Sequence, residues 1–254
     1  MLDMGSDRKT AMNAALPEPM VRKSRYVEPQ QVTEIALGEL LIFAGRPMLP
    51  EQAGLFKKPE ERDPIIFCAG DLDLLKRRSI SVIGARSASP EALMRASRIA
   101  RELSAAGIVV TSGLAKGIDT AAHTSAIKAG GRTVSVIGTP LDKAYPAENA
   151  DLQRDIYEHH LLISQFHPGQ RTFQSDFPKR NRLMAALSDG SVIVEASDTS
   201  GTLHQASECI RLGRWLFIMK SVMDNKEISW PERFRHEPRT VVLTSVEDIL
   251  TRLV

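Results

Sequence analysis

Residues 80–137 read ISVIGARSASPEALMRASRIARELSAAGIVVTSGLAKGIDTAAHTSAIKAGGRTVSVI, and this stretch decides the fold. Three short runs rich in Val and Ile, Ile80–Ala85, Ile108–Thr111 and Thr133–Ile137, end in loops of small residues. The amphipathic stretches Glu91–Ala105 and Thr120–Ala129, of helical length, separate them. Short apolar runs bounded by turn residues read as strands, and a 3.6-residue period reads as helix. Apolar runs without alternation belong to strands covered on both faces. The rhythm continues through Leu161–Ser164, Ser191–Glu195, Trp215–Met219 and Val241–Thr244, with helical stretches at Asn149–Tyr157 and Leu203–Arg211. The pattern predicts an α/β fold: a doubly wound, mostly parallel sheet with helices on both faces. Right-handed crossovers then bring every strand-to-helix loop to the carboxyl edge, where such sheets bind ligands.

Outward from this region the chain loses its rhythm. Residues 1–30 carry scattered charges and three prolines without a sustained period, and are expected to be a disordered tail. Residues 31–62 are expected to hold one short helix over Gln31–Phe43 and a proline-rich surface connector; residues 63–254 form the main domain. The 254 residues are 43% hydrophobic and 25% charged, which excludes a disordered chain, a coiled coil and a disulfide-stapled mini-domain. A net charge of +2 is too small to steer the whole molecule to a polyanion, so anion binding must come from a local cluster. Cys68 and Cys209 sit in apolar runs without a CxxC, as reduced core residues of a cytoplasmic protein do. The start has no apolar h-region and no run approaches a membrane span, so no membrane contact is expected.

Four loops carry the chemistry. In Gly84-Ala85-Arg86-Ser87-Ala88-Ser89-Pro90, Ser89 is placed to cap a helix, with Pro90 and Glu91 in its first turn and Arg86 just ahead. In Ser112-Gly113-Leu114-Ala115-Lys116-Gly117-Ile118-Asp119, the glycines let the backbone approach a ligand, Lys116 offers a point charge, and Asp119 is placed to cap the next helix. The segment from Phe173 to Arg182 brings Phe177, Lys179, Arg180, Asn181 and Arg182 together, a mixture suited to a single-stranded nucleic acid: cations track phosphates and an aromatic face stacks a base. Finally, Ser200, Gly201 and Thr202 offer hydroxyls and free N–H groups at a helix start.

Taken singly, each loop is as well explained by turn and capping needs; four on one sheet edge are harder to explain that way. Neither GxxxxGK[ST] nor GxGxxG occurs, which argues against triphosphate hydrolysis and NAD binding. His123 reads as a packed helix residue, and His159-His160 has no Cys or carboxylate at metal spacing, so neither metal nor cofactor is expected.

Those loops, in order, resemble the DprA/Smf DNA-processing family. Val82-Ile83-Gly84-Ala85-Arg86 is similar to its GxR loop, and Ser112–Asp119 with Ala122-His123 to its SGxAxGID…AH signature. Tyr145-Pro146 with Asn149 and Leu152 resembles YPxxNxxL, Phe177–Arg182 resembles FPxRNR, and Glu195-Ala196 with Ser200–Leu203 resembles EAxxxSGSL. The resemblance spans about residues 64–220 and implies an extended Rossmann-like sheet that binds single-stranded DNA without catalysis. It further implies recombination mediation with a RecA-type recombinase during DNA uptake and transformation, and a homodimer. Carried over, phosphate contacts fall to Gly84, Arg86, Ser87, Ser112, Gly113, Lys116, Gly117, Lys179, Arg180, Arg182, Ser200, Gly201 and Thr202; Phe177 touches a base and Asn181 holds the loop or the strand. The chain departs from the pattern at Gly138–Asp142, at Gln165 where a glutamate is usual, and in the charged segment after Lys220. Its length leaves no room for full accessory modules, a trimmed form that a mobile element or defence locus would carry. The alternative is a nucleotide sensor, or a nucleoside-monophosphate phosphoribohydrolase of the lysine-decarboxylase-like type. The PGGxGTxxE loop of those enzymes resembles Ser200–Gln205, but Gln205 stands where the acid-base glutamate belongs, and an amide cannot replace it.

Overall fold

A computed structural model describes residues 26–49, 56 and 63–253. Residues 1–25 of the expected tail and nearly all of the connector over 50–62 lie outside them. Nine strands make one sheet: β1 (Thr33–Ala36), β2 (Ile65–Gly70), β3 (Ser79–Ile83), β4 (Val109–Ser112), β5 (Thr133–Ile137), β6 (Leu161–Ser164), β7 (Gly190–Ile193), β8 (Trp215–Met219) and β9 (Thr240–Leu243). Their spatial order is β1-β2-β6-β5-β4-β3-β7-β8-β9. From β6 through β9 all neighbours run parallel, while β1 and β2 add two antiparallel strands at one edge. The mostly parallel α/β fold is as the periodicity predicts. Every residue of β3 to β7 is buried, which requires cover on both faces.

Two helix pairs supply that cover: α2 (Pro90–Ala105) against α3 (Ile118–Lys128), and α5 (Asp176–Leu187) against α6 (Thr202–Arg211). At the antiparallel edge α4 (Ala150–His159) packs on β2, β5 and β6. Beyond β8 lie three short helices, α7 (Lys220–Met223), α8 (Trp230–Phe234) and α9 (Glu247–Leu250). No described helix is long and apolar enough to cross a membrane.

Two expectations change here. The helix expected over Gln31–Phe43 is a strand followed by α1 (Leu37–Phe43). TEIA pairs with β2, Thr33 opposite Cys68, and only the Leu37, Leu40, Leu41 stripe turns helical to enter the main core. The strands are also less apolar than their Val and Ile content suggests. Ser79, Ser81, Thr133, Ser135 and Ser191 are buried, and most are partnered: Ser81 Oγ lies 2.6 Å from Ser188 Oγ, and Thr133 Oγ donates to the Val110 carbonyl. Small hydroxyl residues let helices approach the sheet closely, and pairing most of their hydroxyls limits the cost of burying them; Ser135 Oγ alone of these five lacks a partner among the described residues. Cys68 and Cys209 are buried free thiols, each pushed up to about 12 by burial.

The strand order reverses between β3 and β7. From β3 the chain winds outward through β4, β5 and β6, then returns to place β7, β8 and β9 on the other side. Loops leaving β3 and β7 therefore part in opposite directions and leave a crevice, the position where open parallel sheets bind ligands.

Candidate nucleic-acid interface

That crevice is a cleft of about 600 Å³, lined by the loops after β3 and β7 and by the first turns of α5 and α6. Its two sides are tied together. The Ala85 N–H donates to the Glu195 carbonyl, and the Glu195 carboxylate accepts from Ser89 N–H at 3.0 Å and Ser89 Oγ at 2.6 Å. Ser89 also caps α2 through Ala92 N–H, with Pro90 behind it, as the sequence predicts. Glu195 thus completes the N-terminus of α2. Gly84 is needed because an added Cβ would lie 2.7 Å from Ile118 and 2.8 Å from the Glu195 carbonyl.

Arg86 is exposed at the mouth, its guanidinium 4.9 Å from the centroid of the Phe177 ring. Tyr145 stands 5.7 Å from the same ring and is itself exposed. No carboxylate among the described residues pairs with Arg86, so its charge faces the cleft.

Beneath lies Arg180, only 5% exposed. It donates to the Gly113 and Val136 carbonyls and, through Nε, to Asn181 Oδ1 at 2.9 Å. Asn181 in turn donates to the Gly201 carbonyl at 3.1 Å, linking α5 to the loop before α6. Behind Arg180, burial pushes the Asp119 carboxyl up, opposed by the guanidinium charge and by the Ala115 N–H. Asp119 was expected to cap α3, but the cap position is Gly117; the carboxylate instead folds back on its own loop. The cleft therefore has a cationic floor that its own backbone holds and an aromatic, cationic lip open to a ligand.

The structure gathers Gly84, Arg86, Ser87, Phe177, Arg180, Asn181, Ser200, Gly201 and Thr202 around this cleft. The remaining expected residues lie elsewhere: of the five expected cations, Arg86, Lys116, Lys179, Arg180 and Arg182, the cleft holds two, Arg86 and Arg180. Residues from Asp176 onward form a helix rather than a loop, because Pro178 falls in the first turn, where its missing N–H costs nothing. On a helix, positions 177, 180 and 181 share a face. Lys179 and Arg182 turn away, Lys179 to Asp176 at 3.1 Å and Arg182 to Glu208 at 3.0 Å. Ser112 is buried, its hydroxyl donating to the Val82 carbonyl, and Gly113 leaves room for Arg180. Lys116 and Gly117 line a neighbouring groove, with Lys116 paired to Glu148. Tyr145 joins the site although the sequence pattern assigns it no contact; its aromatic ring beside a loop proline is the available signal. Among the described residues no group of three His, Cys, Asp or Glu side chains is placed to hold a metal ion.

A doubly wound sheet with a cationic, aromatic cleft at its switch point defines the α/β class of the chain. Comparison with known proteins narrows it. The family model described as DNA recombination-mediator protein A matches residues 41–254, and the chain belongs to this family. DNA processing protein DprA of Streptococcus pneumoniae is 40% identical over 63% of this chain and 57% of its own length. The Bacillus subtilis protein of the same name is 32% identical over 74% of this chain and 64% of its own. The chain thus spans less than two thirds of these curated relatives. The solved structure of the S. pneumoniae protein aligns with a TM-score of 0.70 at 31% identity, covering 88% of this chain and 75% of that one. DNA processing protein A of Helicobacter pylori, a protein with a single-stranded DNA binding mode, shares the fold at a TM-score of 0.70 and 24% identity, over 91% of this chain and 97% of that one.

Proposed function

We propose that this chain binds single-stranded DNA, without catalysing a reaction on it, in the cleft between the β3 and β7 loops. The observation that carries this reading is the stack of Arg86 over Phe177 with Tyr145 beside it: a cation for phosphate and two rings for bases on one lip. Family membership and the binding mode of the H. pylori relative support the same ligand. The floor supports binding rather than chemistry. Gln205, where the phosphoribohydrolase alternative needs its acid-base glutamate, is an amide that donates to Ser191 Oγ, and the nearby Glu195 carboxylate is engaged by Ser89. Partners implied by the family, a RecA-type recombinase and a second copy of this chain, belong to the same proposal.

The test measures anisotropy of labelled oligo(dT), duplex DNA and mononucleotides at two salt concentrations. Oligo(dT) should bind in preference to both others, and Arg86→Ala should flatten the salt slope by about 0.7, the value for one phosphate contact on a single strand. Unchanged affinity in a folded Arg86→Ala protein, or base release from a nucleoside monophosphate, would refute the proposal.

A further inference from the structure

Resting on the reading above, we propose that the single strand leaves the cleft along the groove between α2 and α3, which forms a second segment of the binding track. The groove holds about 540 Å³. Its apolar floor includes Leu93 and Ala121, and Lys116 and Lys128 stand at its two ends, since they occupy the loop before α3 and its last turn. Leu93 and Ser97 also border a shallow concavity on the outer face of α2, which carries Arg95, Arg98 and Arg101. Both helices follow parallel strands, so these cations form two rails running away from the carboxyl edge of the sheet. From Arg95 to Arg101, a helix rise of about 1.5 Å per residue makes the α2 rail roughly 9 Å long.

The track is continuous with the cleft. The Gly117 backbone packs so closely on the Ala85 and Arg86 carbonyls that no Cβ fits between them. Lys116 therefore follows directly from the loop bearing Arg86. Its partner Glu148 is exposed, as Lys116 is. Such a surface pair is weak and can be exchanged for a phosphate. Arg98 meets Glu102 only at 3.7 Å, and neither Arg101 nor Lys128 forms an ion pair among the described residues. Three carboxylates, Glu91, Glu102 and Glu148, border the same surface, against five cations. An apolar floor between cationic rails suits a chain with charged phosphates on one side and bases on the other.

The experiment compares oligo(dT) of about 6 nucleotides, enough for the cleft alone, with one of about 20, on the full chain. The variant is Arg98→Glu, Arg101→Glu, Lys128→Glu, three exposed positions that leave the cleft residues intact. A milder set, Arg98→Gln, Arg101→Gln, Lys128→Gln, guards against a folding defect. The long oligonucleotide should lose about tenfold or more in affinity, and its salt slope should flatten by about 2, the sum for three contacts. Affinity for the short one should not move. Equal binding of the long oligonucleotide by variant and wild type would overturn the track and leave this face to a protein partner. Equal weakening for both lengths would overturn it too, since that reports a general field. If the wild type binds neither length, the cleft reading itself fails, a result distinct from both.

Discussion

Replacing Gly113 with alanine tests the inner half of the site, and here the sign of the effect is diagnostic. Gly113 lies outside the left-handed region, so its backbone admits alanine. Without a steric conflict the change should stabilise the protein by about 0.4–1 kcal/mol, because alanine reduces the freedom of the unfolded chain. The structure predicts the reverse, since the new Cβ would overlap the Arg180 guanidinium. Arg180 would have to leave the Gly113 and Val136 carbonyls. Two buried acceptors left unpaired cost about 1–3 kcal/mol each, and a displaced guanidinium that reaches water in the cleft recovers part of that, giving a loss of about 3 kcal/mol. With a urea dependence of about 2 kcal/mol per molar, the unfolding midpoint should fall by about 1.5 M. Gly201→Ala is the control, because nothing lies within 4 Å of the added Cβ and the backbone is right-handed there, with φ −60°. A midpoint for Gly113→Ala equal to or above wild type would show that Arg180 is not seated by the Gly113 carbonyl.

Other consequences are open to direct measurement. Phe177→Ala should cost about 1–3 kcal/mol in oligo(dT) binding, the value of one stacked base, with the Arg86 salt dependence retained; a loss confined to the salt slope would contradict stacking. Asp198 accepts from Ser229 N–H, Ser229 Oγ and Trp230 N–H, and so holds the segment carrying Asn225 and Ile228 against the cleft. Asp198→Ala should therefore speed limited proteolysis between Lys220 and Arg239 several-fold and weaken DNA binding; an unchanged digestion pattern would count against the anchor. His123 is buried against Thr133, and burial lowers its pKa from 6.5 to about 3. The unfolded chain then binds the proton more readily below pH 6.5, so this stability is full above that pH and lost progressively towards pH 3. The loss reaches about 2 kcal/mol at pH 5. Urea midpoints at pH 7.5 and 5 should show this drop in wild type and a smaller one in His123→Gln, and equal drops would exclude His123 as the source.

Much of the sheet was legible because its signal is local. Continuous apolar runs, and Ser89-Pro90-Glu91 at a helix start, need no knowledge of the rest of the chain. β1 was hidden because TEIA is too short to show a period, and it becomes a strand only by pairing with β2. α5 was hidden because Pro178 and a cluster of charges look like a loop until Ser175 and Asp176 are recognised as a helix entrance. The site was legible as a set of loops but not as a geometry. The residues that remove Lys116, Arg182 and Lys179 from the cleft are Glu148, Glu208 and Asp176. Of these, Glu148 and Glu208 lie far along the chain from their partners. Glu195, whose side chain joins the β7 loop to α2, could equally have been read as a free carboxylate.

The reduction from five cations to two changes what binding should look like. Arg180 is enclosed by its own backbone acceptors, so it contributes a positive field beneath the ligand rather than a contact that releases counterions. Arg86 is left as the cation at the lip, and a strand held by the cleft alone should show a shallow salt slope, near one phosphate contact. Stacking on Phe177 and Tyr145 is insensitive to salt and must then supply most of the affinity for short oligonucleotides. Longer strands gain phosphate contacts only if they meet further cations, and the proposed track supplies Lys116 and those along α2 and α3. The salt slope should therefore steepen with oligonucleotide length, whereas a cradle in which all the cations met the same few nucleotides would give a steep slope at every length.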